Sequence, residues 1–172
     1  MAKWPWIERR FTFDFPVTKH PDIVERFRGL PARIEERARG LTRDQLTRSD
    51  GRGWSIQENI GHLLALESLF DGRLDDFAAG KPELRPADMQ NLATTQANYN
   101  AREIALVLAD LRAARFAQCA RLEVLSESDF ARVSVHPRLK MPMRLIDAVC
   151  FVCEHDDYHM ARIAELRRGL GV

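Results

Sequence analysis

Apolar residues recur along this chain with two different periods. Before residue 20, Phe11, Phe13 and Phe15 alternate with Thr12 and Asp14, and Trp4 and Trp6 precede them. Period two puts the three Phe rings on one side of an extended arm, residues 1–20, which is expected to pack along a hydrophobic surface. Beyond it the spacing is helical. Asp22 is a candidate cap with Glu25 three residues on, and the first helix should run to about Arg39, where Gly40 stops it. Pro31 predicts a kink or break near Leu30. Ser55 and Glu58 form a capping box that opens the second helix. Ile56, Ile60, Leu63, Leu66, Phe70 and Phe77 follow, and Gly80 and Pro82 end it.

A third helix is predicted over about residues 90–124, with Ile104, Leu108, Leu111, Arg115, Cys119 and Leu122 along one stripe. Ser126, Pro137 and Pro142 break the pattern over 126–142, where Val133 and Val135 predict a short extended piece. The fourth helix should start near Met143 and reach about Leu170, with Gly169 and Gly171 as terminators. Four long helical patterns with little strand signal predict an all-α four-helix bundle.

At 172 residues the chain fits one domain, 1–172, and its 45% hydrophobic content is enough to bury a core, which argues against disorder. A net charge of +1 gives no global attraction to nucleic acid or an anionic membrane. No apolar run approaches the ~18 residues of a spanning helix. The amino terminus lacks the apolar stretch of a signal peptide, and three cysteines cannot all pair within the chain. A cytoplasmic location is the expectation. Cys150 and Cys153 have redox-motif spacing but fall mid-helix, with no βαβ pattern nearby.

The chemistry lies in the histidines. His155 and His159 are four apart, so on a helix they lie only about 40° apart in azimuth and about 6 Å apart along the axis. Ala148, Val152, Ile163 and Leu166 share that side, which makes the stripe an inward-facing one. Buried imidazoles need partners, and either a metal or hydrogen bonds from neighbouring helices would supply them. His62, two turns into the second helix, is the third ligand candidate. Three imidazoles without a fourth protein ligand make the open type of site. His20 and His136 each precede a proline and are expected in solvent-facing loops. His155-Asp156-x-x-His159 is one methylene short of the zinc-protease pattern, but Asp156 lies about 100° around the helix from His155, and the third histidine is upstream.

Trp54-Ser55-x-x-Glu58-x-x-x-His62-Leu63, with His155-Asp156-x-x-His159 near the chain end, resembles the DinB-like (YfiT-like) superfamily. The Asp44-Gln45-Leu46 stretch and the His136-Pro137 loop suit it. The resemblance implies a bundle of up-down-down-up topology and one divalent metal ion on His62, His155 and His159. Zinc or nickel comes first, with iron or manganese as alternatives. It also implies enzymes that use a low-molecular-weight thiol, so the leading expectation is a metal-dependent S-transferase in stress response, acting on a small-molecule substrate. A metal-dependent hydrolase, with Glu58 as the candidate for proton transfer, is the second reading, although the capping box already accounts for Glu58. A non-catalytic, metal-stabilised binding module is the third. Ile146, Cys150, Cys153, Met160 and Ala164 form a second apolar side on the last helix, either internal core or the surface of a homodimer, and a homodimer is the expectation.

Overall fold

The computed structural model describes residues 5–172, so Trp4 lies outside the described residues. The bundle's first long element is broken in two: α1 spans His20–Arg28 and α2 spans Leu30–Ala38. Gly29 sits between them in helical conformation, and Pro31 falls in the first turn of α2, where its missing N–H costs nothing. The break near Leu30 is therefore where the sequence predicts it. The start is not: α1 begins at His20, with Pro21 rather than Asp22 setting its first turn and no side-chain cap. After α3 (Arg43–Thr47), α4 runs from Ile56 to Ala78. Its capping box is closed both ways, Ser55 Oγ accepting from the Glu58 N–H (3.1 Å) and Glu58 Oε2 accepting from the Ser55 N–H (2.9 Å). Gly80, at φ +64°, follows its end.

The expected single helix over 90–124 is three pieces. Asn91 and Asn98 adopt left-handed backbone conformations (φ 54° and 45°), which an α-helix cannot pass through. A short α5 (Leu92–Gln96) and a 3₁₀ turn (Tyr99–Ala101) result, and α6 starts only at Ile104 and ends at Glu123. After α7 (Glu127–Phe130), Val133–His136 (β1) pairs antiparallel with Met141–Arg144 (β2). The last helix, α8, spans Leu145–Leu170 and ends at Gly171 with φ 75°.

Cross-helix bonds fix the topology. Arg26 reaches Glu154 (2.8 Å) and Arg167 reaches the Arg37 carbonyl, so α1–α2 runs parallel to α8. Gln57 bonds the Arg102 carbonyl (2.7 Å) and Arg121 bonds Asp71 (2.5 Å), so α4 runs parallel to α6. Glu35 pairs with Arg112 while the Phe27 carbonyl takes Arg115, which makes α1–α2 antiparallel to α6. The order is up-down-down-up. Two parallel neighbours in sequence, α4 and α6, demand a long crossover, and residues 79–103 provide it.

The core has two apolar lobes. One holds Phe27, Phe77, Phe130 and Ile146; the other holds Leu30, Ile34, Ile60 and Leu111. Burying each such side chain contributes about 1.5–3 kcal/mol. Between the lobes, at mid-height, lies a polar layer: Arg115 of α6 bonds Glu67 of α4 (2.6 Å) and Asp156 of α8 (2.7 Å). The crossover lies back on α4 at two glycines. A Cβ on Gly61 would overlap the Tyr99 ring, and one on Gly72 would overlap the Arg85 guanidinium.

The second apolar side of α8 is internal in part. Ile146 and Cys153 are buried, and Cys153 Sγ lies 3.9 Å from the Ile23 carbonyl of α1. Cys150, Met160 and Ala164 of the same side are partly exposed. The aromatic arm is also engaged: Trp6 and Phe11 both pack on Phe151 of α8, at 5.1 and 5.0 Å between ring centroids. Among the described residues no helix is long and apolar enough to cross a membrane.

Candidate metal centre

The antiparallel pairing of α4 with α8 sets His62 opposite His155 and His159. Ring centroids are 5.3 Å apart for His62 and His155, 4.7 Å for His62 and His159, and 4.6 Å for His155 and His159. One ligand atom of each can be chosen so that all three lie within 4.8 Å of one another. All three side chains are buried. Burial holds the His62 imidazole down to about 4, so it is neutral at physiological pH, the state a metal ligand requires.

The orientation of His159 follows from a chain of bonds. Asn59 donates its Nδ2 to the carbonyls of Trp54 (3.1 Å) and Ser55 (2.7 Å), which fixes the amide so that Oδ1 faces away from the helix start. That oxygen lies 2.8 Å from His159 Nδ1. An amide oxygen can only accept, so His159 carries its proton on Nδ1 and presents the Nε2 lone pair to the cluster. His62 Nδ1 contacts Thr94 Oγ1 of α5 at 2.9 Å. Such outer partners fix ring orientation in metal sites generally. Neither Asn59 nor Thr94 stands out in the sequence. Asn59 is three residues before His62, a spacing that places it on the same helical face and could have flagged it.

The histidines line a cavity of about 440 Å³, closed on other sides by Trp6, Trp54, Phe151 and Tyr158. This is within the usual range for a small-molecule pocket, roughly 300–1,000 Å³. Glu58 is not among the lining residues; its carboxylate bonds the Ser55 N–H. Asp156 turns away into the polar layer, where Arg115 holds it, so the protease-like spacing carries no protease-like placement. Burial pushes the Asp156 and Glu67 carboxyls up, Glu67 to about 7, and Arg115 pulls both back. Cys119, Cys150 and Cys153 do not line the cavity.

The expectation that His136 faces solvent fails. It sits at the end of β1, is 2% exposed and lines the same cavity. The β-hairpin turns its ring inward against Phe151 (5.0 Å), a contact that a reading of Pro137 as a loop marker misses. His20 is half-buried rather than free, stacked on Phe130 at 4.5 Å.

Comparison with known proteins places the chain in a family. Residues 26–163 match the model of the DinB superfamily. A Bacillus licheniformis protein provisionally named a metal-dependent hydrolase is 27% identical, covering 93% of this chain and 94% of its own. A Geobacillus kaustophilus protein of the same provisional name is 29% identical over 86% of this chain and 84% of its own. In fold, the chain is similar to YfiT from Bacillus subtilis, described as a probable metal-dependent hydrolase with an unusual four-helix bundle topology. The TM-score is 0.80 at 22% identity, over 95% of this chain and 94% of that one. The match spans all four bundle helices and both histidine-bearing elements, and the chain belongs to the DinB superfamily.

Proposed function

We propose that the protein is a metal-dependent hydrolase of a small molecule, with one divalent ion held by His62, His155 and His159. The observation that carries this reading is the convergence of three buried imidazoles on a cavity large enough for a substrate. The donor set fits a borderline divalent ion: neutral nitrogen ligands, with two of the three rings held from behind by Thr94 and Asn59. When bound, such an ion supplies a Lewis acid and lowers the pKa of water toward neutrality. The protein's own residues do the rest. Asn59 and Thr94 keep two ring nitrogens aimed inward, and Trp54 packs on His62 at 4.6 Å, limiting access of bulk water.

The names of the two relatives favour hydrolysis over transfer to a thiol. The S-transferase reading uses the same open position on the ion and requires an external thiol, because the chain's own cysteines are elsewhere. Both readings are open to one experiment. The purified chain is expected to hold one metal per molecule by elemental analysis. His62→Ala, His155→Ala and His159→Ala should each lose it. Hydrolysis of a panel of small esters, amides and phosphoesters should stop on chelation and return with added zinc, nickel or manganese. Full metal retention by all three variants would sink the site. A thiol-conjugation rate that responds to metal, beside silent hydrolysis, would move the assignment to the S-transferase.

A further inference from the structure

The cavity that holds the histidines also carries two arginines and His136. Among the described residues neither Arg73 nor Arg138 forms an ion pair with a carboxylate. Asp76, one turn from Arg73, is occupied by Arg85, whose Nε and Nη2 each bond it at 2.9 Å. Asp88, the one acid lining the cavity, accepts the N–H groups of Gln90 (2.9 Å) and Leu92 (2.6 Å).

The state of His136 follows from its neighbours. The N–H groups of Arg138 (3.3 Å) and Leu139 (3.2 Å) both point at Nδ1, so that nitrogen is an acceptor and carries no proton. Burial, with Arg73 and Arg138 nearby, holds the ring down to about 4, so it is neutral and its one proton is on Nε2. Arg73 Nη1 lies 3.4 Å from that Nε2. A guanidinium nitrogen can only donate, so two donors face each other with no acceptor between them. Arg138 adds a third: its Nη2 is buried without a hydrogen-bond partner. Structural duties account for other parts of these side chains. Arg73 also ties down the Arg85 carbonyl through Nε and Nη2 (3.1 and 3.0 Å), and Arg138 donates Nη1 to the Ile7 carbonyl (3.4 Å) and lays its face over Trp6 and Phe151 (5.7 and 5.6 Å). Those contacts leave Arg73 Nη1 and Arg138 Nη2 without an acceptor. Buried donors in that state cost free energy unless an acceptor completes them.

We infer that Arg73, Arg138 and His136 form an anion-binding subsite, and that the substrate carries a carboxylate or phosphate group seated there while its reacting bond lies at the histidines. Arg73 Nη1 and Arg138 Nη2 offer N–H donors to the oxygens of such planar or tetrahedral oxyanions. The placement of the reacting bond rests on the hydrolase reading above; the anion subsite rests on the donors themselves.

The test is calorimetric titration of inorganic phosphate, and separately of succinate, into the full chain with its metal and again after chelation. One anion per chain is expected in both states. Arg138→Gln should weaken it at least tenfold, Arg138→Lys should restore part of that loss, and Arg43→Gln, at a surface pair with Glu103, should change nothing. Tighter phosphate identifies a phosphoryl substrate; tighter succinate identifies a carboxylate. Equal binding by wild type and Arg138→Gln overturns the inference. So does binding that vanishes with the metal, or no binding of either anion. Metal content measured on the same samples keeps the two readings apart. Arg138-dependent anion binding in a chain that never holds metal defeats the hydrolase assignment and leaves the subsite standing.

Discussion

On one side of α8, Asp156 meets Arg115 and Glu67; one residue back, His155 faces His62 and His159. Both clusters join the same two helices and both are buried. In the first, every charged group is hydrogen-bonded: Arg115 bonds two carboxylates and the Phe27 carbonyl, and Gln118 takes a remaining oxygen of Glu67 at 2.8 Å. In the second, two rings are fixed on their outer nitrogens by Asn59 and Thr94, and the inner side of the cluster faces a cavity. A closed polar cluster aligns helices. One that is braced from behind and opens on a cavity is built for something that arrives later.

The largest effect should come from opening the closed cluster. Arg115→Ala strands two buried carboxylates and is expected to cost roughly 3–5 kcal/mol in denaturant unfolding. Neutralising all three together, with Arg115→Met, Glu67→Gln and Asp156→Asn, should recover most of that. Equal losses in Arg115→Met alone and in the triple variant would show that Arg115 matters for something other than its charge balance.

Acid should next separate the cavity from the closed cluster. The folded pKa of His136 lies below its unfolded value of 6.5, so the unfolded chain binds more protons between them. The stability it contributes is present above about 6.5 and is lost as pH falls toward about 4. Relative to His136→Gln, the wild type should lose on the order of 3 kcal/mol over that window, since each tenfold difference in proton affinity between the folded and unfolded chain is worth about 1.4 kcal/mol. The titrations of Glu67 and Asp156 are common to both proteins and cancel in the difference. A constant gap between the two stability curves would mean that His136 is already charged in the fold.

The smallest effect is the most local. Asn59→Ala removes the acceptor that sets the His159 tautomer and should lower metal affinity roughly 10- to 100-fold, measured by competition with a chelator, with the helical circular dichroism unchanged. No change in affinity would mean that the ring is held by packing alone.

Much of this arrangement can be read from the amino acids because it is local. The Ser55 and Glu58 capping box, the break near Leu30 and the common face of His155 and His159 depend on contacts within a turn or two of helix. What the pattern does not reveal depends on distant partners. Arg115 lies on a stripe otherwise read as apolar, and only the carboxylates of two other helices explain its burial. His136 is turned inward by a hairpin whose strand pairing the prolines disguise. The start of α6 lies later than the apolar spacing implies because Asn91 and Asn98 take left-handed conformations that their side chains permit but do not dictate.

The two glycine notches on α4 have a consequence for how the protein can change. Tyr99 is seated on Gly61, beside His62, and Arg85 on Gly72, three turns further along. These seats pin the crossover at both ends and leave the span between them to run past the cavity mouth, where Pro86, Asp88, Met89 and Asn91 line the opening. That span can be lengthened, shortened or rewritten between fixed anchors while the histidine-bearing helices keep their positions. Its Thr94 contacts His62. On the proposed reading, the crossover can vary around the cavity while the histidines and the Arg73, His136 and Arg138 subsite stay on elements that it does not carry.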